Sequence, residues 1–298
     1  MKIKKRILVL ALIAVLALGE AAVQLSGMVD FPIYMADKEI GYIPAPNQSG
    51  SFLRSHDWRF NEFSMGAGPF KPDSNRFNVL LIGDSLVLGG NPISEEDRLG
   101  PQLEKLTNWQ VWPISAGSWA LQNELTYLKQ HRDLLEKIDA IIWLSNSGDF
   151  DEPSSWASEM THPRHHPFPG IIYLAKKYLL KERPQPSPSQ LKVAKREWRN
   201  DFNEVAEKFN KPIYLFLYPD IGELKAGNIS TNRLNALIPD IEKSISRNVR
   251  IFKVADSVEW TPALYRDEIH PSRDGNTVLD KIFYSNICNQ NTLKTICK

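Results

Sequence analysis

Five short apolar runs mark the chain after its first quarter: Val79-Leu80-Leu81-Ile82, Trp109 to Ile114, Ala140 to Leu144, Ile213 to Leu217 and Val249 to Val254. Runs of this length, with little polar alternation, predict strands buried on both faces, the habit of a parallel sheet. Between them the apolar positions step by three or four. Leu121, Leu125 and Leu128 share one helical face, and Leu191, Ala194, Trp198, Phe202, Val205 and Phe209 predict a longer helix. Strands alternating with amphipathic helices predict an α/β fold, a three-layer sandwich with a central parallel sheet.

Three stretches depart from this rhythm. Asp30 to Asp73 mixes proline, glycine, asparagine and aromatics without a sustained period, and reads as an irregular extension that wraps the domain. Between Leu144 and Ser189 lie about forty-five residues, too many for a simple connection. They hold a helix expected over Ile171 to Leu180 and the run Pro184-Gln185-Pro186-Ser187-Pro188, and form an insertion at about 150–188 of the kind that builds binding walls or lids. At the N-terminus Lys2, Lys4, Lys5 and Arg6 precede the apolar run Ile7 to Gly19. This is a signal peptide or an N-terminal membrane anchor, with a slight lean to the anchor. Either way the basic end stays in the cytoplasm and the body is delivered outside it. The chain divides into 1–25, the export segment; 26–77, the extension; and 78–298, the main domain.

Charge and cysteines narrow the classes. Of 36 basic residues four precede the apolar run, whereas all 35 acidic residues follow it, so the body carries a net charge of −3. A near-neutral body has no electrostatic footprint for nucleic acid. The two cysteines, Cys288 and Cys297, are free to pair in an oxidising compartment, or to remain two thiols.

Ligands of open parallel sheets bind beyond the carboxyl ends of the strands. The first predicted strand runs into Gly83-Asp84-Ser85-Leu86, which places a serine hydroxyl at a strand-to-helix turn. A serine nucleophile needs a base, and that base a carboxylate to orient it. Asp267-Glu268-Ile269-His270-Pro271 supplies both within one local turn. His162, His165 and His166 have no acidic partner in register and read as a loop rather than a metal site. Trp119 and Trp156 are candidates to stack on sugar rings, whereas Trp143, inside a strand, reads as core.

The Gly83-Asp84-Ser85-Leu86 block and the distant Asp267-x-x-His270-Pro271 block resemble the first and last blocks of the SGNH (GDSL-like) hydrolases, over roughly Asn78 to Ile287. The resemblance implies a flavodoxin-like sheet, a catalytic triad of Ser85, His270 and Asp267, and no cofactor or metal. It further implies an oxyanion hole of the Ser85 N–H, the Gly117 N–H after the second strand and the Asn146 amide after the third. The third block departs from the family's G-x-N-D, reading Leu144-Ser145-Asn146-Ser147, with Gly148-Asp149 following. Asn91 is a weaker substitute for the donor.

A second likeness lies in the extension. Phe31-Pro32-Ile33-Tyr34, Gly41-Tyr42-Ile43-Pro44, Pro46-Asn47, Asn61-Glu62 and Met65-Gly66 are similar to the run-in of membrane-anchored bacterial SGNH proteins. This implies an extracytoplasmic enzyme, periplasmic and held in the inner membrane, acting on acylated envelope or exopolysaccharide glycans. Two rivals remain open: an O-acyltransferase fed by a membrane-bound acyl donor partner, and a catalytically silent carbohydrate-binding or scaffold protein.

Overall fold

Five parallel strands, β5 (Asn78–Gly83), β6 (Gln110–Ser115), β7 (Ala140–Asn146), β8 (Ile213–Tyr218) and β9 (Val249–Lys253), form the central sheet in the order β6-β5-β7-β8-β9. All five fall on the apolar runs of the sequence. With the first strand of the sheet in second place and the rest following in sequence, the order is flavodoxin-like. The computed structural model describes residues 2–180, 185–225, 232–289 and 297, with side chains from Lys5 onward. Pro184, the first proline of the insertion's proline run, lies outside the described residues.

Alternate residues of each strand feed two cores. Leu80, Ile82, Ile114, Ile141, Trp143 and Leu215 face a layer made by α4 (Leu121–Gln130), α5 (Arg132–Glu136), α7 (Trp198–Phe209) and α9 (Arg233–Ser244). Val79, Leu81, Val111, Ile142 and Phe216 face α2 (Ser85–Leu88), α3 (Leu99–Thr107) and α10 (Arg273–Cys288). Helices on both faces explain why the strands lack polar alternation. The remaining helices are α1 (Lys2–Leu25), α6 (Gly170–Leu174) and α8 (Ile221–Lys225).

Two regions differ from the sequence reading. The extension is not irregular throughout. It holds two antiparallel hairpins, β1 (Tyr34–Asp37) with β2 (Gly41–Pro44), and β3 (Gln48–Phe52) with β4 (His56–Phe60). Strands of four or five residues are too short to show a period. The extension does wrap the domain: Gly66 N–H donates to Pro113 O at 2.9 Å, and Met65 bridges Ile114, so the outer edge of β6 is covered. Likewise, the helix expected from Leu191 begins only at Trp198. Ahead of it the chain is held extended, with Val193 N donating to Ser155 Oγ at 2.9 Å and Arg196 N to Gln122 Oε1 at 2.7 Å. The three-four spacing there reflects docking on α4, not a helix.

Helix α1 is long and apolar enough, over Lys5–Leu25, to cross a membrane by length and composition. At the other end of the chain Cys288 and Cys297 form a disulfide, which closes a short loop. Such a bridge stabilises by somewhat less than ~3 kcal/mol in the chain-entropy account. Both cysteines are expected to resist alkylation in the mature protein until a reductant is added; ready alkylation beforehand would show them unpaired in the cell.

Candidate active site

Ser85 opens α2 directly beyond β5. Gly83, the last residue of that strand, must be a glycine: a Cβ there would stand 2.8 Å from Leu144 O and 2.8 Å from Val87 Cγ2. Asp84 caps the helix by accepting from Leu86 N at 2.8 Å, which turns the chain sharply and leaves the Ser85 hydroxyl partly exposed. Ser85 Oγ lies 3.0 Å from His270 Nε2. His270 Nδ1 lies 2.9 Å from Asp267 Oδ2 and 3.0 Å from Oδ1. The structure thus brings together the three residues picked from two blocks nearly two hundred positions apart.

The loop carrying Asp267 and His270 is held from several sides. Tyr218, the last residue of β8, donates its hydroxyl to Ile269 O at 2.7 Å. Ile221 N donates to Glu268 O at 2.9 Å, and Arg266 N to His270 O at 2.9 Å. Burial works to raise the Asp267 pKa, but the backbone N–H groups of His270 and Ile269 and the His270 ring outweigh it, so the carboxyl sits below its ordinary range. Arg266 also reaches across, donating from Nη1 to Gly89 O at 2.9 Å and so tying the histidine loop to the loop after the serine. Neither Arg266 nor Tyr218 was visible in the sequence, because their roles depend on where two distant loops meet.

Strand register places the other site residues. Gly83 pairs with Ser115 on β6 and with Leu144 on β7. Two residues further along, Ser85 and Gly117 therefore stand just beyond the ends of their strands, level with Asn146, the last residue of β7. Gly117 is partly exposed, and its carbonyl accepts from the Tyr42 hydroxyl at 2.7 Å. Asn146 is buried, and its amide is engaged: Nδ2 donates to Asp84 Oδ2 at 3.2 Å and to Asp149 Oδ1 at 3.1 Å, while Oδ1 accepts from Gly148 N at 2.7 Å. Asn91 is partly exposed in the loop that follows the glycine pair after α2.

Behind the serine lies a buried acidic group that the sequence did not announce. Asp84, Asp149 and Glu124 are each almost fully enclosed. Burial pushes Asp84 up to about 6, against the pull of Leu86 N and His270. It pushes Glu124 up to about 8, opposed by the Trp143 indole N–H that donates to it and reinforced by Asp84. Asp149 is raised well above its ordinary value by burial and then by the two neighbouring carboxyls. The folded state thus holds a proton on Glu124 that the unfolded chain releases near pH ~4.3. The stability this contributes is complete below that pH and declines as pH rises towards 8. Glu124→Gln, which keeps an acceptor for Trp143, is expected to flatten the decline of the urea midpoint between pH 5 and 8; an unchanged slope would mean Glu124 is not the proton holder.

The tryptophan candidates are not available to a sugar. Trp119 is buried and donates to Tyr42 O at 2.6 Å. Trp156 is buried, donates to His162 O at 2.7 Å, and has the Arg164 guanidinium 4.2 Å over its ring. Trp143 lies in the core, as read. His162 stacks on Tyr42 at 3.8 Å, and burial lowers its pKa to about 4, whereas His165 and His166 are exposed.

No family model and no curated protein matches the chain. Among solved structures it is similar to a lipolytic protein of the G-D-S-L family from Desulfitobacterium hafniense, at 15% identity and a TM-score of 0.41, covering 69% of this chain and 97% of that one. It is also similar to a salicylyl-acyltransferase from a tetracycline biosynthetic pathway, at 13% identity and a TM-score of 0.44, covering 75% of this chain and 57% of that one. A family two carbohydrate esterase from Clostridium thermocellum, in complex with cellohexaose, aligns at 12% identity and a TM-score of 0.42, covering 75% of this chain and 66% of that one. Likeness at this level does not bear on substrate. The fold rests on the chain's own strand order, and the chemistry on the side chains around Ser85.

Proposed function

We propose that the protein is a serine acyl-ester hydrolase of SGNH type, with Ser85 as nucleophile, His270 as general base and Asp267 orienting the imidazole. The observation that carries this reading is the unbroken relay from Ser85 Oγ through His270 Nε2 and Nδ1 to Asp267, at 3.0 and 2.9 Å. In the first step His270 takes the Ser85 proton as Oγ attacks the ester carbonyl. The tetrahedral oxyanion collapses to an acyl-enzyme, and His270 returns the proton to the departing alcohol. Water, activated by the same histidine, then releases the acid. Ser85 N–H and Gly117 N–H are assigned to the oxyanion. Asn146 joins them by turning one amide hydrogen from its longer bond, that to Asp84, towards the developing charge. No cofactor enters these steps.

The substrate class follows from setting. The Asp267 and His270 side chains are 47% and 25% exposed, so the relay opens to solvent and suits an ester carried on a bulky hydrated polymer. Together with an N-terminal helix long and apolar enough to cross a membrane, which fits an anchored body outside the cytoplasm, this supports acylated envelope glycans as substrate. Incubation with an acylated oligosaccharide should release free acid into water. Passage of the acyl group to an added sugar hydroxyl instead would make the protein a transferase with a membrane-borne donor, and neither reaction would leave a binding protein.

With neutral His270 as base, kcat/KM for an aryl ester is expected to rise from acid to neutral pH. Asp267, held below its ordinary range, stays ionised across that interval. Asp84→Asn should keep the rise, which separates the role of the imidazole from that of the neighbouring carboxyl, pushed up to about 6 by burial. A flat profile with chemistry rate-limiting would contradict a histidine base.

A further inference from the structure

We propose that the exposed apolar face of the insertion helix, with the residues flanking it, rests on the outer surface of the membrane that α1 spans, so that the protein meets the bilayer through two elements. The inference depends on α1 being a membrane span. Where α1 enters the body it is clamped. Glu20 accepts from Gly170 N at 2.8 Å and Ile171 N at 3.0 Å, and Gln24 Nε2 donates to Pro167 O at 3.2 Å. Arg54 donates to the Gln24 and Leu25 carbonyls at the helix end. The crossing is too close for a side chain: a Cβ on Gly170 would stand 2.9 Å from Gln24 Nε2 and from Val23 Cγ1. The insertion helix, α6 continued by a wider turn over Ala175–Leu179, is therefore fixed against α1 at the level of Gly19 to Gln24.

That level is where the span ends. Twenty-one residues, Lys5–Leu25, rise about 30 Å at 1.5 Å each, close to the thickness of a bilayer's hydrocarbon core. The insertion helix thus starts at the boundary between hydrocarbon and headgroups. One of its faces packs inward, where Tyr173 joins Val29 and Phe31. The other would face water with large apolar groups: Phe168, Leu179 and Leu180 are 81%, 80% and 74% exposed, and Ile172 and Tyr178 are exposed beside them. Leu25, at the foot of α1, is exposed too. An apolar patch of this kind needs an occupant. Lipid is favoured over a protein because the patch continues the exposed apolar surface of α1 from Ile7 to Leu18. The helix also carries the composition of an interfacial segment, with apolar residues, a tyrosine and the basic Lys176 close together. The body is then held in a set orientation on the membrane rather than hung from a free stalk.

The test uses the full chain in nanodiscs of phosphatidylethanolamine and phosphatidylglycerol. Because Cys288 and Cys297 are paired, a single added cysteine takes an environment-sensitive fluorophore. Four variants are labelled: Leu179→Cys and Phe168→Cys in the patch, Val15→Cys inside the span, and Val258→Cys, a highly exposed site beyond the edge strand β9. Lipid-borne nitroxides should quench positions 168 and 179 severalfold more than 258, and iodide in the buffer should quench them less. Equal behaviour of 179, 168 and 258, with 15 strongly quenched by lipid, would overturn the proposal while leaving the anchor intact. Protection from iodide without quenching by lipid would put a protein on the patch and overturn it as well. Absence of lipid quenching at position 15 would remove the span itself, and the proposal with it.

Discussion

Ser85→Ala is expected to lower kcat for an aryl acetate by as much as ~10⁶, because nucleophile, base and orienting carboxylate act as one unit. The hydroxyl stands 3.0 Å from His270 Nε2, and alanine leaves the base no hydroxyl there to activate. His270→Ala should be about as inactive, and the double variant scarcely worse than either single one. Ser85 is partly exposed at the head of a short helix whose cap is Asp84, so the variant should fold normally and show an unchanged urea midpoint. Substantial hydrolysis retained by the purified variant would remove Ser85 from the role of nucleophile.

Asn146→Ala is expected to lower kcat by ~10²–10³, about 2.7–4 kcal/mol, with KM little changed, since an oxyanion donor acts on the transition state. A cost in stability should accompany it. The amide joins the buried Asp84 and Asp149 through Nδ2 and holds the N–H of the exposed Gly148 through Oδ1. Leaving a buried group without a partner costs roughly 1–3 kcal/mol. A side chain facing only the cleft would carry no such cost, but Asn146 is bonded to two carboxyls. Activity must therefore be measured on protein shown to be folded by circular dichroism. Asn91→Ala is the control and should do much less. If Asn91→Ala crippled the enzyme and Asn146→Ala did not, the donor would belong to the loop after the serine.

The sheet was legible because burial on both faces leaves a mark in every strand: short apolar runs such as Val79 to Ile82, set between amphipathic helices, point to buried strands. The serine and histidine blocks were legible because local turn chemistry fixes them, with Gly83 at a place that admits no Cβ and Asp267 three residues from His270. What the sequence hid depends on encounters between distant segments. Glu124 reads as an ordinary polar residue of a helix, and Asp149 only as a displaced part of the third block, until the fold encloses them beside Asp84. Arg266 ties the two loops together through Gly89, one hundred and seventy-seven positions away. The hairpins of the extension escaped because their strands are too short for a period, and Trp119 and Trp156 misled because an aromatic near a site looks the same in sequence whether it faces a ligand or the core.

Reaction with a fluorophosphonate, followed by mass spectrometry of the intact protein and its peptides, tests the central claim most directly. The reagent forms a stable adduct with an activated serine and spares unactivated ones. One adduct per chain is expected, on the peptide that contains Ser85, formed much more slowly in His270→Ala and lost in Ser85→Ala. A folded protein that takes up no phosphonate, or takes it up at another serine, would contradict a nucleophile built from Ser85, His270 and Asp267.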